Sequence, residues 1–232
     1  MIRRAPKPKG KVDTTWRAEL AYAVGLIAAD GSLSRNGRHI NFTSKDVSLI
    51  QTFQRCLGIT DIKIGRKSRS KEKIKKYYQT QFGDVLFYSW LIDIGLTPNK
   101  SLTLSNLKIP EDYFFDFLRG VWDGDGTIVC TRDPRWKNSY AVSIGFASGS
   151  IDFLRWLQDT INSKLGTTGH IHKGVRARQL RYARKDTIRI VNAMYYNPDL
   201  PRLKRKFAKA QKILKMFEPK PVQVEKLVDS YP

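Results

Sequence analysis

The chain of 232 residues carries 42 Lys+Arg against 21 Asp+Glu, a formal net charge of +21, with 41% hydrophobic and 11% aromatic residues. That composition excludes a disordered chain and supports either one large core or two of roughly 100 residues each. Charge of this sign and size selects polyanionic partners, nucleic acid first; an anionic membrane surface is the rival, but no strongly amphipathic basic helix stands out to serve it. Two cysteines, Cys56 and Cys130, exclude a disulfide framework. The N-terminus has no hydrophobic signal region and no apolar run reaches membrane-spanning length, so a soluble, intracellular protein without membrane contact is expected.

In chain order, residues 1–12 form a basic arm punctuated by Pro6, Pro8 and Gly10, either solvated or tracking phosphates. Asp13 or Thr14 is positioned to cap a helix running through Trp16, Leu20, Ala23, Val24 and Ile27 to Asp30. Its second half is apolar or small on nearly every side. Gly25 in its middle costs about 1 kcal/mol against Ala, which close approach of a second helix would explain. Gly31 stops the helix. A hairpin follows, turning at Asn36-Gly37 into His39–Thr43, with Ile40 and Phe42 facing a core and His39, Asn41 and Thr43 facing away. Asp46 caps an amphipathic helix with Val47, Ile50, Phe53 and Leu57 inward, closed by Gly58. Strands are expected over 62–67 and 75–81, with a very basic turn between them. A helix with Val85, Leu86, Trp90, Leu91 and Ile94 then ends at Gly95.

Residues 97–109 read as a linker, and Pro110 with Glu111 and Asp112 opens a new helix through Phe114, Phe117, Leu118 and Val121 to Asp125. The same order then returns: a longer hairpin (127–131 and 140–147), a helix capped by Ser150 and closed by Gly166, strands at 170–172 and 179–183, and a helix over 188–196. Residues 203–217 are helical and basic, and 218–232 form a tail. The chain therefore divides into the arm, a first repeat (13–96), the linker, a second repeat (110–217) and the tail. The predicted class is α+β, two tandem αββαββα units that must pair to close one core.

One element occurs twice in this pattern: Gly25-Leu26-Ile27-Ala28-Ala29-Asp30-Gly31 and Gly120-Val121-Trp122-Asp123-Gly124-Asp125-Gly126. In each, an apolar helical run ends in a small residue, a carboxylate and glycine. A carboxylate at a helix C-terminus opposes the dipole and is expensive when buried, so two of them on paired helices point to a shared cation.

The doubled motif resembles the LAGLIDADG homing endonucleases in their single-chain, two-repeat form, over residues of about 14 to 215. The resemblance implies a pseudo-twofold saddle in which two antiparallel sheets lie on DNA and the motif helices pack side by side. It implies Asp30 and Asp125 as metal ligands, helped by the carbonyls of Ala29 and Gly124, with Mg²⁺ as the cation and Ca²⁺ or Mn²⁺ as substitutes. Hard ions of this kind take one or two carboxylates plus water and phosphate oxygens. Around them the family places polar and basic groups: Ser44 and Lys45 in the first repeat, Ser148 and Gly149 in the second. Asp123, opposite Ala28 of the first repeat, is expected to be structural or peripheral. A further lysine follows each repeat, Lys100 in the first and either Lys206 or Lys204 in the second; Lys206 has the better spacing, leaving Lys204 as a phosphate contact. The missing second Lys45 makes the two halves unequal.

Alternation then nominates the residues facing a major groove, where base edges carry a full donor and acceptor code. They are Ser32, Ser34, Asn36, Arg38, Asn41, Thr43, Lys63, Lys67, Lys76 and Tyr78 in the first repeat. In the second they are Thr127, Thr131, Ser143, His170, His172, Arg176, Arg178 and Arg181. The phase of the fourth strand is open, because Tyr77, Tyr78, Gln79 and Gln81 do not alternate cleanly. A zinc reading of His170-x-His172 lacks further ligands at zinc spacing.

The resemblance implies a site-specific, metal-dependent double-strand DNA endonuclease leaving short 3′ overhangs, acting as a monomer in a host cytoplasm, nucleoid or organelle. A start at Met1 without splicing motifs suggests the intron-encoded type. An intron RNA-binding maturase, with or without nuclease activity, is the alternative, and a catalytically silent DNA-binding regulator a third.

Overall fold

A computed structural model describes residues 10–68, 75–132, 140–174 and 177–217. It contains two copies of one arrangement. The first comprises α1 (Ala18–Asp30), β1 (Gly31–Leu33), β2 (His39–Ser44), α2 (Val47–Leu57), β3 (Gly65–Lys67), β4 (Tyr77–Gly83) and α3 (Val85–Asp93). The second comprises α4 (Phe114–Asp125), entered through a 3₁₀ turn at Glu111–Tyr113, then β5 (Thr127–Arg132), β6 (Tyr140–Ser148), α5 (Ile151–Leu165), β7 (His170–Lys173), β8 (Arg178–Ala183) and α6 (Arg184–Met194). A further helix, α7 (Lys204–Lys215), follows. Each copy has one antiparallel four-stranded sheet, in orders β1-β2-β4-β3 and β5-β6-β8-β7. The class is α+β, as expected.

Helices α1 and α4 form the centre. Every residue from Leu20 to Ala28 is buried, and so is every residue from Asp116 to Asp123. Their crossing is set by Gly25 and Gly120. A Cβ built on Gly25 would lie 2.1 Å from the Phe117 carbonyl oxygen and 3.0 Å from the Gly120 Cα. One built on Gly120 would lie 2.1 Å from the Tyr22 carbonyl oxygen and 3.0 Å from the Gly25 Cα. The contacts are reciprocal, as a local twofold requires, and only two residues without side chains allow backbones this close.

Several local expectations are corrected. α1 starts at Ala18 with no side-chain cap, and Asp13 instead accepts the amide of Thr15. Gly31 does end the helix as expected, but in extended conformation, and it begins β1 directly. Of the four residues expected inward on α2, Ile50, Phe53 and Leu57 are buried and Val47 is exposed, Leu49 being buried besides; on α3, Val85 and Leu86 are exposed while Phe87, Tyr88 and Leu91 are buried. Asp46 stands at the start of α2 but makes no capping bond there. Strands β3 and β4 begin two to three residues later than expected, and α6 begins at Arg184 and ends at Met194. Residues 11 and 12 are tied down rather than solvated: both amides donate to the buried Asp84 carboxylate, which also caps α3 through the Phe87 amide. In the 97–109 segment, Lys100, Leu104 and Leu107 are buried.

A second buried anchor has no counterpart in the first repeat. Arg119 of α4 bonds Asp116 at 2.7 Å and donates to the carbonyls of Met194 (2.6 Å) and Pro201 (2.9 Å). Both side chains are fully buried and the guanidinium lies over the Tyr22 ring, so the pair fixes the chain between α6 and α7 onto the central helices. Breaking such a pair strands a buried charge.

Gly25→Ala and Gly120→Ala should each destabilise the protein by about 1–3 kcal/mol, the usual range for overpacking a close contact. Urea unfolding followed by circular dichroism measures this; unchanged midpoints would contradict the crossing.

Candidate metal and nucleic-acid site

The motif helices end together. A Cβ on Gly124 would lie 2.5 Å from the Ala29 Cβ and 3.6 Å from an Asp30 carboxylate oxygen, which places the end of α4 directly beside the end of α1. Each end is met by one lysine. Lys100 Nζ donates to the carbonyls of Ala28 (2.7 Å) and Ala29 (3.3 Å). Lys206 Nζ donates to those of Trp122 (2.6 Å), Gly124 (3.1 Å) and Gly126 (2.7 Å), using all three of its protons. Lys206 therefore stands where Lys100 stands in the first repeat. Lys204 does not; it is exposed, beside Glu19 and Asp199 on another surface.

These ammonium groups sit on the negative ends of two helices, where a cation is favoured and where Asp30 and Asp125 by themselves are not. Burial pushes both lysines down to about 8, against the pull of Asp30 and Asp125, whose fields reach each of them. The two carboxylates and two lysines thus form one electrostatic unit. The carbonyls of Ala29 and Gly124, expected as metal helpers, already accept one lysine bond each, leaving each oxygen its second lone pair. Asp123 is buried, its Oδ2 accepts the Tyr22 hydroxyl and the Leu203 amide, and burial pushes it up to about 6.

Two cavities flank the helix ends and differ. The Asp30 side has a volume of about 440 Å³ and is lined by Ser44, Lys45, Asp46, Tyr77, Gly124 and Arg205, among others. The Asp125 side has about 80 Å³ and is lined by Ala29, Lys100, Ser101, Ser148 and Gly149, among others. Lys45 lies over the Tyr77 ring at 5.5 Å. Its counterpart Gly149 is pressed on the segment that carries Lys100: a Cβ there would lie 2.5 Å from the Ser101 carbonyl oxygen. The absent lysine is therefore also excluded by packing. Ser44 and Ser148 play one role in both repeats, each hydroxyl accepting an amide two residues on, at 3.1 Å, at the turn into the next helix.

Register settles the outward sheet faces. In the first sheet, Ser32 pairs with Asn41, Asn41 with Gln81 and Thr43 with Gln79, all on the face opposite buried Ile40 and Phe42. Lys67 shares that face through Tyr77, and Lys63 joins Gln79 and Gln81 around a shallow depression. Ser34 bonds His39 across the turn through its amide, and Arg38 lies against Gly83. Lys76 immediately precedes β4. Asn36 works within the hairpin, accepting the amides of Arg38 and His39 and contacting the His39 ring. In the second sheet, Thr127, Thr131, Ser143, Arg181, His170 and His172 share the outward face.

Tyr78 and Arg178 are corrections. They pair with Ser44 and Ser148 and share the phase of the buried Thr80 and Leu180, so neither faces outward with the other nominated residues. Tyr78 is covered by Arg66, whose guanidinium reaches its hydroxyl. Arg176 lies outside the described residues. The register adds Gln79, Gln81 and Gln179, and a signal for them existed: Gln79 and Gln179 hold the same strand position in both repeats. Among the described residues no group of three or more His, Cys, Asp or Glu could hold a metal, and no helix is long and apolar enough to cross a membrane.

Residues 17–89 match the family model of the LAGLIDADG-like domain. No curated protein sequence matches the chain. Among solved structures, the chain is similar to the homing endonuclease I-WcaI bound to its DNA recognition sequence, with TM-score 0.58 and 16% identity over 89% of this chain and 95% of that one. It is similar to I-DmoI in complex with DNA and Ca, with TM-score 0.53 and 16% identity over 85% and 97%. It is also similar to full-length DUF199/WhiA from Thermatoga maritima, with TM-score 0.54 and 16% identity over 90% of this chain; the chain spans 64% of that protein's length. At such identities these likenesses establish the fold, and the match to the LAGLIDADG-like domain lies within the first of two repeats that are built alike around paired motif helices.

Proposed function

We propose that the chain is a site-specific double-stranded DNA endonuclease that hydrolyses both strands with a divalent cation and leaves short 3′ overhangs. The observation that carries this reading is the meeting of Asp30 and Asp125 at two crossed helix ends, one held by the buried Lys100 and the other by the half-buried Lys206, between two outward polar sheet faces in a chain of net charge +21. One chain supplies both halves, so a monomer suffices, and it would act inside a host cell where its DNA is.

The donor set is all oxygen: two carboxylates and the carbonyls of Ala29 and Gly124. That fits Mg²⁺, Mn²⁺ or Ca²⁺, which keep room for water and phosphate, and not zinc, which prefers nitrogen and sulfur. Among the fold relatives, I-DmoI was solved with DNA and Mn as well as with Ca. When bound, such a cation supplies Lewis-acid stabilisation of charge developing on phosphate oxygens. The chain's own groups do the rest. Asp30 and Asp125 hold the site's negative charge at a fixed spacing, and Lys100 and Lys206 keep the helix ends from drifting. Lys45 offers an ammonium to the phosphate on the Asp30 side, where the larger cavity lies. In hydrolysis a water oxygen bonds to phosphorus as the bond to one nucleotide oxygen breaks, and that oxygen takes a proton. The outward faces, with Asn41, Gln79, Gln81, Gln179, Arg181, His170 and His172, present donors and acceptors at strand spacing to base edges.

Selecting cut sites from a randomised duplex library in Mg²⁺ tests the reading. Wild-type protein should yield one dominant site cut on both strands, and Asp30→Asn or Asp125→Asn should abolish double-strand cutting while leaving duplex binding. Full cleavage by either variant overturns the assignment of the carboxylates. Preference for a structured intron RNA over duplex, with no cutting, would favour the maturase alternative.

A second outcome concerns pH. Lys100 and Lys206 sit at about 8 in the folded protein, below their ordinary 10.5. The unfolded chain therefore binds more protons between these values, and stability from these groups rises with pH across that window. Relative to a Lys100→Met/Lys206→Met variant, the metal-free protein's melting temperature should gain as pH is raised from about 8 to about 10. A flat or falling difference would contradict the downward shift of the two lysines on folding.

A further inference from the structure

The segments that deliver Lys100 and Lys206 are each fastened to the opposite repeat, at the residue that begins its second helix. On the Asp125 side, the Ser150 hydroxyl at the start of α5 donates to the Leu104 carbonyl, four residues beyond Lys100. On the Asp30 side, Asp46 at the start of α2 takes a two-pronged ion pair from Arg205, the residue before Lys206: Nε lies 3.2 and 3.1 Å from its two oxygens and Nη2 2.8 Å from Oδ2. The first fastening is buried and neutral. The second is partly open to solvent, with the Arg205 side chain 61% exposed and that of Asp46 26%.

Arg205 and Asp46 both line the larger cavity with Asp30 and Lys45. Asp46 adjoins Lys45 in sequence, its amide is held by Ser44, and its carboxylate is engaged by the arginine fork instead of capping α2. The fork constrains both oxygens at once, which a lysine in the same place could not do. On its other side, the first turn of α7 is fixed by the Leu203 amide on Asp123. Arg205 thus joins Lys45 of one repeat and Lys206 of the other across the Asp30 side.

Resting on the nuclease reading above, we infer that Arg205 is a positioning residue for that half of the site: through Asp46 it sets Lys45, and through α7 it sets Lys206, so that it governs cutting of one strand and not the other. An exposed ion pair adds little to stability, so its loss leaves the fold in place.

The test uses the full chain, Mg²⁺ and a duplex carrying the library-selected site with the two strands labelled differently. The strand slowed by Lys45→Ala marks the Asp30 side. Arg205→Gln and Asp46→Asn should each slow that same strand by about 10-fold to 100-fold in single turnover at saturating protein, as loss of groups that orient an active site does. The other strand should stay within about twofold, and duplex affinity and its salt dependence should be unchanged. Because the two residues act as one pair, the double variant should be no slower than either single. Lys212→Gln, which removes an exposed charge from α7 away from the cavity, should change neither strand.

Equal slowing of both strands, no slowing of either, additive effects of the two substitutions, or an affinity loss with a shallower salt slope would overturn the positioning role, the last marking Arg205 as a plain phosphate contact. Wild-type protein that cuts no duplex overturns the nuclease reading itself, and this inference with it, before any variant is made.

Discussion

The contact between Gly25 and Gly120 is the constraint on which the rest of the structure depends. Two backbones meet at a distance that any Cβ would forbid, and the contact brings the helix ends, with Asp30 and Asp125, side by side. Asp30 and Asp125 themselves are exposed and not buried as the sequence suggested, so what is unfavourable is the like charge of two helix ends and two carboxylates brought together. Lys100 and Lys206 answer this locally, each by bonding carbonyls of the helix end it serves. Their cost is visible in how far burial pushes both down.

The two repeats share a plan and differ in how it is executed. The first places Lys45 in an open cavity; the second fills the same place with the chain that carries Lys100, leaving space only for Gly149. The first repeat fastens its neighbour with an ion pair, the second with a hydroxyl. The second carries the buried Arg119–Asp116 pair and Asp123, and the first has Val24, Ala21 and Ala28 at the corresponding places. Both α6–α7 anchors, Arg119 and Asp123, hold the segment that leads to Lys206, while the Lys100 carbonyl accepts the amides of Thr103 and the buried Leu104.

Much of this was legible in the sequence because it follows from short-range pattern. The doubled motif located both central helices and both carboxylates, the alternation in His39–Thr43 gave the correct inner and outer faces, and Gly58 and Gly166 closed their helices in left-handed conformation as read. Spacing favoured Lys206 over Lys204, and the structure places Lys206 on the helix end. Where the pattern was locally degenerate it misled. Tyr77, Tyr78, Gln79 and Gln81 are all polar or amphipathic, so only pairing with Phe42 and Ser44 could decide which of them turn inward. Val47 and Leu86 are apolar yet exposed, because burial of a helix face is decided by the surface it meets.

By itself, then, the sequence determined the repeat, the order of elements, the paired carboxylates and the net positive charge, since each rests on residue type and on periods of a few residues. Only the tertiary structure decided that Asp46 serves Arg205 and not its own helix, that Gly149 has no room for a side chain, and that Tyr78 and Arg178 turn away from the outward face. Those features depend on residues far apart in the chain meeting across the Gly25–Gly120 crossing, and no local pattern encodes such a meeting.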